Sequence, residues 1–336
     1  MNKLLAAFIL ILIVHAPLAR ANKCVESVND PLTTEDLVNQ LLPALHRQAA
    51  LSESIKWKSD FLKDRLVTDP QKARQISDSV FEVKQLQYEV AQAIKDMGGP
   101  QSPALWDAYF QRAYNTVAAS SSSYLQTVAL SISKLPSGKI IDFGSGPGNF
   151  SLAILLSSPY RTVHGIDMSP LAVQSATNML TATVPQAKGR FHFQNGNLLE
   201  MPPNQLKGDG GVMNNVLYNM QTTREKVNLL KKVRSQLKPG ARFVLNDPLP
   251  KGQNEAELKN WLASLAESAT RNGSPLTEYD IAFLSEINRS QLTRGNIPFS
   301  TPKELINIAQ QAGFVLVEGP LETYGGLVTS LVLEVP

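Results

Sequence analysis

The hydrophobic pattern after residue 134 changes from strand-like to helix-like and back several times. Residues 139–143 form an apolar run that is typical of a buried strand, and residues 150–156 have the apolar spacing of a helix. Residues 162–167 form a second short run, which ends in Asp167, and Ser169–Pro170 then has the pattern of a helix N-cap with proline at the first helical position. This order predicts the strand, helix and strand of an α/β domain.

The last part of the chain predicts a helix and two strands. Thr301 and Glu304 form a capping box with proline between them, so we expect a helix over residues 302–312. Residues 314–317 and 327–335 have the pattern of strands, with the turn-rich segment 323–326 between them. Because a parallel pair needs a crossover of a dozen or more residues, this short connection predicts an antiparallel hairpin.

Two other regions are predicted to be helical, residues 31–134 and residues 251–300. In the first, Asp69–Pro70 marks a helix start, and apolar residues recur every three or four positions before Gly98–Gly99: Ile76, Val80, Val83, Leu86, Val90, Ile94 and Met97. This row predicts one long helix with a core-facing side. The second region carries Trp261, Tyr279 and Phe283 on helical stretches.

The first 21 residues have the pattern of an export signal. Lys3 precedes the eleven apolar residues 4–14, and Ala19-Arg-Ala21 is a small-x-small cleavage pattern. The apolar run is shorter than the ~20 residues of a spanning helix. We therefore expect cleavage after Ala21 and an exported protein, with an uncleaved anchor and a domain facing the cytosol as the alternative.

Composition narrows the classes of function. The chain has 336 residues and a net charge of +3 with no basic cluster, so a nucleic-acid partner is not expected. Its four histidines and single cysteine have no metal-ligand spacing, and one cysteine cannot form a disulfide within the chain. No Gly-x-Ser-x-Gly elbow of a hydrolase occurs.

The most informative segment is the glycine-rich turn that follows the first predicted strand. Gly144, Gly146 and Gly148 allow the backbone to bend tightly and to approach a ligand. Asp167 stands where a nucleotide-binding α/β fold places the carboxylate that binds the ribose hydroxyls. A dinucleotide-binding turn has its third glycine one residue later, and Asn149 occupies that position here.

With Asp142 two residues before the first glycine, this turn resembles motif I of the class I S-adenosylmethionine-dependent methyltransferases. The resemblance extends over residues 135–336. Residues 191–197 resemble the third strand of that family, residues 211–219 resemble its motif IV, and residues 237–245 resemble the turn into strand five. The resemblance implies an α/β, Rossmann-like fold: a seven-stranded, mostly parallel sheet with an antiparallel last strand, helices on both faces and an N-terminal helical cap.

The resemblance also implies S-adenosylmethionine as the cofactor and a set of residues that contact it. Asn197 would take the place of the adenine-binding aspartate, and the cap and the insertion 251–300 would cover the cleft, with Trp106, Tyr109 and Tyr114 as candidate lining residues. The implied cofactor-binding residues are Asp142, Gly144, Ser145, Gly146, Gly148, Asp167, Met168, Asn197, Leu198, Asn214 and Tyr218.

The implied activity is methyl transfer to a small molecule, since residues 211–219 resemble the small-molecule members more than the Asn/Asp-Pro-Pro-Tyr type. No catalytic residue is specified by a motif. Tyr218 and Asn219 are candidates to face the methyl group, and residues 246–248 form a second polar cluster on the expected acceptor side. A nicotinamide-dependent oxidoreductase and a binding protein without activity remain as alternatives.

Overall fold

The computed structural model describes residues 66–96, 102, 104, 122–249, 255–271, 276–293, 299–323 and 328–336. Its helices are α1 (Pro70–Glu82), α2 (Lys84–Asp96), α3 (Ser122–Ser133), α4 (Asn149–Ser157), α5 (Pro170–Thr183), α6 (Thr223–Ser235), α7 (Glu255–Arg271), α8 (Glu278–Thr293) and α9 (Pro302–Gln311). Its strands are β1 (Gly138–Phe143), β2 (Arg161–Asp167), β3 (Phe191–Asn195), β4 (Gly208–Asn214), β5 (Leu237–Pro248), β6 (Val315–Thr323) and β7 (Val328–Glu334).

The seven strands form one sheet in the order β3-β2-β1-β4-β5-β7-β6. The pairs from β3 through β5 are parallel, and β7 runs antiparallel to both of its neighbours. This arrangement confirms the predicted fold class. The strand order reverses direction between β1 and β4, and in open α/β sheets ligands bind outside the carboxyl ends of the strands at such a point.

One face of the sheet carries the large hydrophobic core. Ile141, Phe143 and Phe243 pack there with the apolar sides of α6 and α9. The Phe243 ring lies 5.2 Å from that of Phe314 and 6.0 Å from that of Phe143, measured between ring centroids. Each buried phenylalanine contributes about 1.5–3 kcal/mol to folding, so this aromatic row fixes the two helices on the sheet.

The opposite face is covered by α3 and α4 and carries buried polar contacts. The Asn246 amide donates to Ser131 Oγ of α3 at 2.9 Å, and Ser330 Oγ of β7 donates to Asn246 Oδ1 at 2.7 Å. Ser131 Oγ in turn donates to the Thr127 carbonyl. These bonds satisfy the buried groups and fix α3 against the carboxyl-terminal part of β5.

The hairpin at the end of the chain has the predicted antiparallel pairing. The capping box of Thr301 and Glu304 starts α9, and both of its reciprocal bonds are present. The strand β6 is longer than expected, Val315–Thr323 in place of 314–317, because its pairing with β7 continues across two irregularities in register. The predicted turn after Thr323 lies outside the described residues.

The prediction of a single helix from Asp69 to Gly98 was wrong. The chain leaves the helix at Val83, whose φ of −100° and ψ of 94° are extended, and then begins α2. Both helices pack on the same insertion, since α1 contacts α7 and α8 while α2 contacts α8. The two helices therefore pack on one insertion although Val83 interrupts the helix. Gly98 and Gly99 lie outside the described part of the chain.

Helix α1 and the insertion helices α7 and α8 form one helical layer. Ser77 of α1 and Ser285 of α8 share a buried hydrogen bond of 2.9 Å between their hydroxyl oxygens, and the Val67 N–H donates to the Leu276 carbonyl. Sequence patterns placed these segments in two separate regions. No helix in the described ranges is both long and apolar enough to cross a membrane; residues 1–21 and the aromatic residues Trp106, Tyr109 and Tyr114 lie outside them.

Candidate functional site

The glycine turn connects the carboxyl end of β1 to the first turn of α4. Gly144, Gly146 and Gly148 all have positive φ, at 72°, 51° and 90°. A Cβ on Gly144 would lie 2.3 Å from Val216 Cγ2. Glycine at position 144 is therefore required both by its backbone angle and by the close approach of the segment that follows β4.

Asp167 joins this turn to the end of β2. Its Oδ2 accepts the Gly146 N–H at 2.8 Å, and its Oδ1 accepts the Ser169 N–H at 2.9 Å. Ser169 Oγ accepts the Ala172 N–H, as expected for the predicted N-cap of α5. The structure thus brings Asp167 directly against the glycine turn, where its predicted contact with a ribose stays a prediction.

Asp142 holds the start of α4 and not the glycine turn itself. Its Oδ2 accepts the Ser151 hydroxyl at 2.7 Å. Burial raises the pKa of Asp142 to about 7, and the charge of Asp167 adds to the rise, while the bonds from Ser151 oppose it. The sequence predicts that Asp142 organises the glycine turn. In the structure Asp142 acts on the turn indirectly, by binding Ser151 in the helix that follows it.

Buried polar atoms without partners lie in the turn. Ser145 Oγ, Asn149 Oδ1 and Asn149 Nδ2 are buried and make no hydrogen bond with any residue in the described ranges. Such groups are rare in native structures and commonly await a ligand or an ordered water. In the sequence, Asn149 only distinguishes the turn from the dinucleotide pattern. Its place as a polar residue at the start of an otherwise apolar helix also indicates a buried polar group beside the turn.

The residues predicted after β3 lie in a turn beyond the strand. The strand ends at Asn195, two residues earlier than expected: the Gly196 N–H makes the last ladder bond, to the Asp167 carbonyl, and the backbone then turns at Asn197, whose carbonyl accepts the Glu200 N–H. The Asn195 amide donates to the carbonyls of Asp167 and Met168, which places Met168 at this end of the sheet.

Asn197 is occupied within its own turn. Its Oδ1 accepts the Leu199 N–H at 3.0 Å, and its amide donates to Glu200 Oε1 at 2.9 Å. Each Oδ1 has two lone pairs, so a second donor could still be accepted. Leu198 is partly buried against the hydrophobic core. The adenine contact of Asn197 remains a prediction.

The carboxyl end of β4 lies beside the glycine turn, since Met213 pairs with Phe143 of β1; Asn214 ends the strand and Tyr218 follows four residues later. Asn215 between them has a φ of 54°, which is uncommon for a residue other than glycine. Its N–H donates to the Asn246 carbonyl at 2.9 Å, and its side-chain Oδ1 is buried without a partner. Backbone strain of this kind is concentrated at functional sites.

Asp247 lies at the carboxyl end of the neighbouring strand, β5. Its Oδ1 accepts the Tyr218 N–H at 3.0 Å, while its Oδ2 is buried without a partner. The side chain is 1% exposed, and this burial raises the pKa of Asp247 to about 7 against the opposing effects of Lys226 and the Tyr218 N–H. The Tyr218 ring stacks on Phe299 at 6.2 Å.

Lys226 was missed in the sequence analysis. It is 1% exposed, its Nζ donates to Ser300 Oγ at 2.9 Å, and burial lowers its pKa while Asp247 and Glu304 oppose the shift. A signal was present in the sequence. Lys226 stands at a core position of α6, in the i, i+3, i+4, i+7 row with Leu229, Leu230 and Val233.

The two strand histidines lie side by side across β2 and β3. His164 and His192 pair in register with ring centroids 4.8 Å apart, and His164 Nε2 lies 3.3 Å from Gln194 Oε1. Burial lowers the pKa of His164. Among the residues whose side chains are described, no three His, Cys, Asp or Glu side chains converge as a metal site.

Solved structures of methyltransferases resemble this chain at low sequence identity. The mitomycin 7-O-methyltransferase MmcR is 13% identical with a TM-score of 0.48, over 92% of this chain and 74% of its own. The neocarzinostatin O-methyltransferase NcsB1, solved with S-adenosylmethionine and 2-hydroxy-5-methyl naphthoic acid, is 15% identical with a TM-score of 0.45, over 72% and 60%. A methyltransferase from Aquifex aeolicus is 11% identical with a TM-score of 0.42, over 63% and 89%.

A comparison with curated protein sequences gave no match. A sequence model described as a methyltransferase domain matches residues 135–313, which is more than half of the chain. This match includes the glycine turn, Asp167 and Asp247, and it confirms the resemblance that the turn indicated. The chain therefore belongs to the methyltransferase domain family, and it is an enzyme of the kind that uses S-adenosylmethionine as the methyl donor.

Proposed function

We propose that this chain transfers a methyl group from S-adenosylmethionine to a nucleophilic atom of a small molecule. The observation that carries the proposal is the arrangement at the carboxyl ends of β1 and β2. There the glycine turn is held open by positive φ angles and is bonded to the Asp167 carboxylate. This combination suits a ligand with a ribose and an amino-acid group better than one with a diphosphate, because Asn149 replaces the third glycine.

The side chains around the turn fit the cofactor. Ser145 and Asn149 offer buried donors and acceptors that have no partner in the described part of the chain, and Gly144 leaves space that a Cβ would fill. Asp167 would hold the ribose hydroxyls, and Met168, Asn197 and Leu198 would border the adenine. When bound, the cofactor supplies a methyl group on a positively charged sulfur, and transfer leaves the electron pair of the broken carbon–sulfur bond on that sulfur.

The chain's own contribution to the reaction is mainly placement. Holding a nucleophile and a methyl group in line can remove on the order of 7–11 kcal/mol of an activation barrier. Asn214 ends β4, the strand between β1 and β5, and Tyr218 follows it with its N–H bonded to Asp247. They would orient the acceptor group relative to the bound cofactor.

A small-molecule acceptor is supported by what the sequence contains at two places. Residues 211–219 read Gly-Val-Met-Asn-Asn-Val-Leu-Tyr-Asn, without the Asn/Asp-Pro-Pro-Tyr pattern of enzymes that methylate bases or amides. The net charge of +3 is mild and is not concentrated in a basic run. A nucleic-acid acceptor would require more Lys and Arg residues grouped together to bind its phosphates.

Isothermal titration of the full-length chain tests the cofactor assignment directly. We expect S-adenosylmethionine and S-adenosylhomocysteine to bind, and NAD not to bind. Binding of NAD with no affinity for either sulfur compound would contradict the proposal and favour an oxidoreductase. Binding of the sulfur compounds without methyl transfer to any small molecule would favour a binding protein on the same fold.

We also propose that residues 1–21 direct export, with cleavage after Ala21. The alternative is retention as an anchor with the domain in the cytosol, where S-adenosylmethionine is made. Reporter fusions after residue 336 distinguish the two, when an alkaline phosphatase, active outside the cytosol, is compared with a fluorescent protein that matures inside it. N-terminal sequencing of the product then reports cleavage.

A further inference from the structure

We propose that Asp247 is the general base of the reaction, and that the methyl acceptor is a hydroxyl or amine group that donates a hydrogen bond to Asp247 Oδ2. This inference rests on the proposed methyltransferase function and names the chemical class of its acceptor. Two buried oxygens at adjacent strand ends, Asp247 Oδ2 and Asn215 Oδ1, have no hydrogen-bond partner among the residues that the structure describes. Two unused acceptors call for a ligand that brings donors.

Asp247 is placed for this role by the topology of the sheet. The strands β1, β4 and β5 are neighbours in the parallel part of the sheet, so the ends of β1 and β5 lie roughly 10 Å apart, at 4.7–4.9 Å for each strand spacing. The glycine turn follows β1, and Asp247 stands near the end of β5. A cofactor over the turn and an acceptor near Asp247 would therefore meet above the end of β4.

The contacts of Asp247 hold the carboxylate in one orientation. The Tyr218 N–H binds Oδ1 at 3.0 Å, which leaves Oδ2 as the oxygen available to a ligand. Tyr218 also stacks on Phe299, so the segment after β4 and the start of the α9 region enclose the carboxylate together. A base fixed by a backbone N–H on one oxygen can accept a proton on the other without reorienting.

The charges around Asp247 keep it usable near neutral pH. Burial raises the pKa of Asp247 to about 7, and the ammonium of Lys226 on α6 limits the rise. Glu304 on α9 acts on Lys226 in turn. A general base is most effective when its pKa lies near the working pH, because it is then both ionised and basic.

The proton balance of the step is simple. The O–H or N–H bond of the acceptor breaks, and its electron pair stays on the oxygen or nitrogen that takes the methyl group. The proton adds to Asp247 Oδ2, which becomes a neutral carboxylic acid. The carboxylic acid then releases the proton to solvent after the product leaves.

The test uses the full-length chain and the variant Asp247→Asn. An Asn oxygen can still accept the Tyr218 N–H, but the amide nitrogen that replaces Oδ2 cannot take up a proton. Phenol, catechol, benzylamine and thiophenol serve as acceptor probes, with S-adenosylhomocysteine formation as the readout. Thermal unfolding and the affinity for S-adenosylhomocysteine, measured by titration, report whether the variant folds and keeps the cofactor site.

We expect the wild-type chain to methylate hydroxyl or amine probes with a rate that rises as pH increases through about 7, where Asp247 ionises. Asp247→Asn should lower kcat by about 10²–10⁴-fold and abolish this rise, with unchanged cofactor affinity. Lys226→Met removes the positive charge that limits the pKa of Asp247, so it should move the rise to higher pH. A residue with only a structural role would not produce that shift.

Three outcomes would overturn the inference. The variant Asp247→Asn could keep the wild-type rate and pH profile, the wild-type chain could methylate only thiophenol, or it could bind S-adenosylhomocysteine and methylate no hydroxyl or amine probe. Failure of the wild-type chain to bind S-adenosylhomocysteine is a different result, seen in the titration alone, and it removes the proposed function itself.

Discussion

Asp167 Oδ2 accepts the backbone N–H of Gly146 at 2.8 Å, so the end of β2 holds the middle of the glycine turn. The other oxygen of the same carboxylate accepts the Ser169 N–H and thereby holds the start of α5. Each carboxylate oxygen can accept two hydrogen bonds. A ribose bound as proposed would share this carboxylate with the turn, so the shape of the turn and the affinity for the cofactor would both depend on Asp167.

Asp167→Ala should lower both the stability of the fold and the affinity for the cofactor. Loss of the two backbone bonds to a charged acceptor is expected to lower the free energy of unfolding by about 2–3 kcal/mol. The affinity for S-adenosylhomocysteine should fall at least ~10-fold, which corresponds to ~1.4 kcal/mol. Chemical denaturation and isothermal titration measure the two effects.

Asp209→Ala is the matched control for that variant, because Asp209 accepts bonds from the Lys139 N–H and Lys238 at the start of β4, at the end of the parallel strands opposite the glycine turn. It should leave the affinity unchanged. Equal loss of affinity in both variants would show that Asp167 has no local role in the cofactor site.

Gly144→Ala should destabilise the fold more than Gly240→Ala. Both glycines have similar positive φ, 72° and 77°, but a Cβ at 144 meets Val216 Cγ2 at 2.3 Å, while a Cβ at 240 meets nothing within 4 Å. Gly240→Ala therefore measures the cost of φ alone, about 1 kcal/mol, and Gly144→Ala adds a steric cost. Urea denaturation of both variants separates the two terms.

The double variant Gly144→Ala/Val216→Ala should recover most of the stability that the steric clash costs, because it lacks the Val216 Cγ2 atom that the new Cβ would contact. A double variant no more stable than Gly144→Ala would locate the cost elsewhere in the turn.

Asp142 makes the stability of the fold depend on pH. Its pKa is about 7 in the folded chain and 3.8 without its surroundings, so the folded state holds the proton more tightly. The stability that the protonated Asp142 contributes to the fold is fully present below pH 3.8 and is lost as the pH rises to about 7. The Asn side chain of Asp142→Asn stays neutral. Between pH 4 and pH 8 the free energy of unfolding of the variant should therefore rise relative to that of the wild type, by on the order of a few kcal/mol.

Denaturation of both proteins across this range measures that difference. Asp209→Asn serves as a comparison, because the pKa of Asp209 is lowered by its bond with Lys238 and no gain toward pH 8 is expected. A constant difference between Asp142→Asn and wild type would mean that Asp142 is already ionised at low pH.

The Asn246 contacts on the other sheet face should be strongly coupled. Asn246→Ala removes one hydrogen-bond partner from each of the buried hydroxyls of Ser131 and Ser330 and is expected to cost about 2–3 kcal/mol. In the background of Ser131→Ala the same change should cost less, because one of the two losses has already been incurred. A double-mutant cycle from urea denaturation gives the coupling, and additive losses would contradict the network.

The sheet could be predicted from the sequence because its strands are short apolar runs between strong local signals. The capping box at Thr301 and the N-cap Ser169 start helices where expected. The break at Val83 could not be predicted, since apolar spacing records which residues face a core and not whether the helix axis is continuous. The end of β3 lies two residues earlier than predicted because Asn197 forms a turn with Leu199 and Glu200, which the apolar pattern of residues 191–197 does not reveal.

The site could be predicted in part. The residues of the glycine turn and Asp167 form one local motif, and the structure brings them together. The sequence also marked residues 246–248 as polar, but the burial of Asp247 and its bond to the Tyr218 backbone depend on how two strands align. Lys226 became relevant only when α6 was placed on the sheet, because a lysine is usually solvent-exposed.

The bond between Ser77 and Ser285 joins residues 208 positions apart. During synthesis the apolar side of α1 therefore stays uncovered until α7 and α8, which end at Arg271 and Thr293, have left the ribosome. Contacts of such long range close large loops and form late in folding. We expect the sheet to form first. The exposed apolar side of α1 is then the part of the nascent chain that we expect a chaperone to bind.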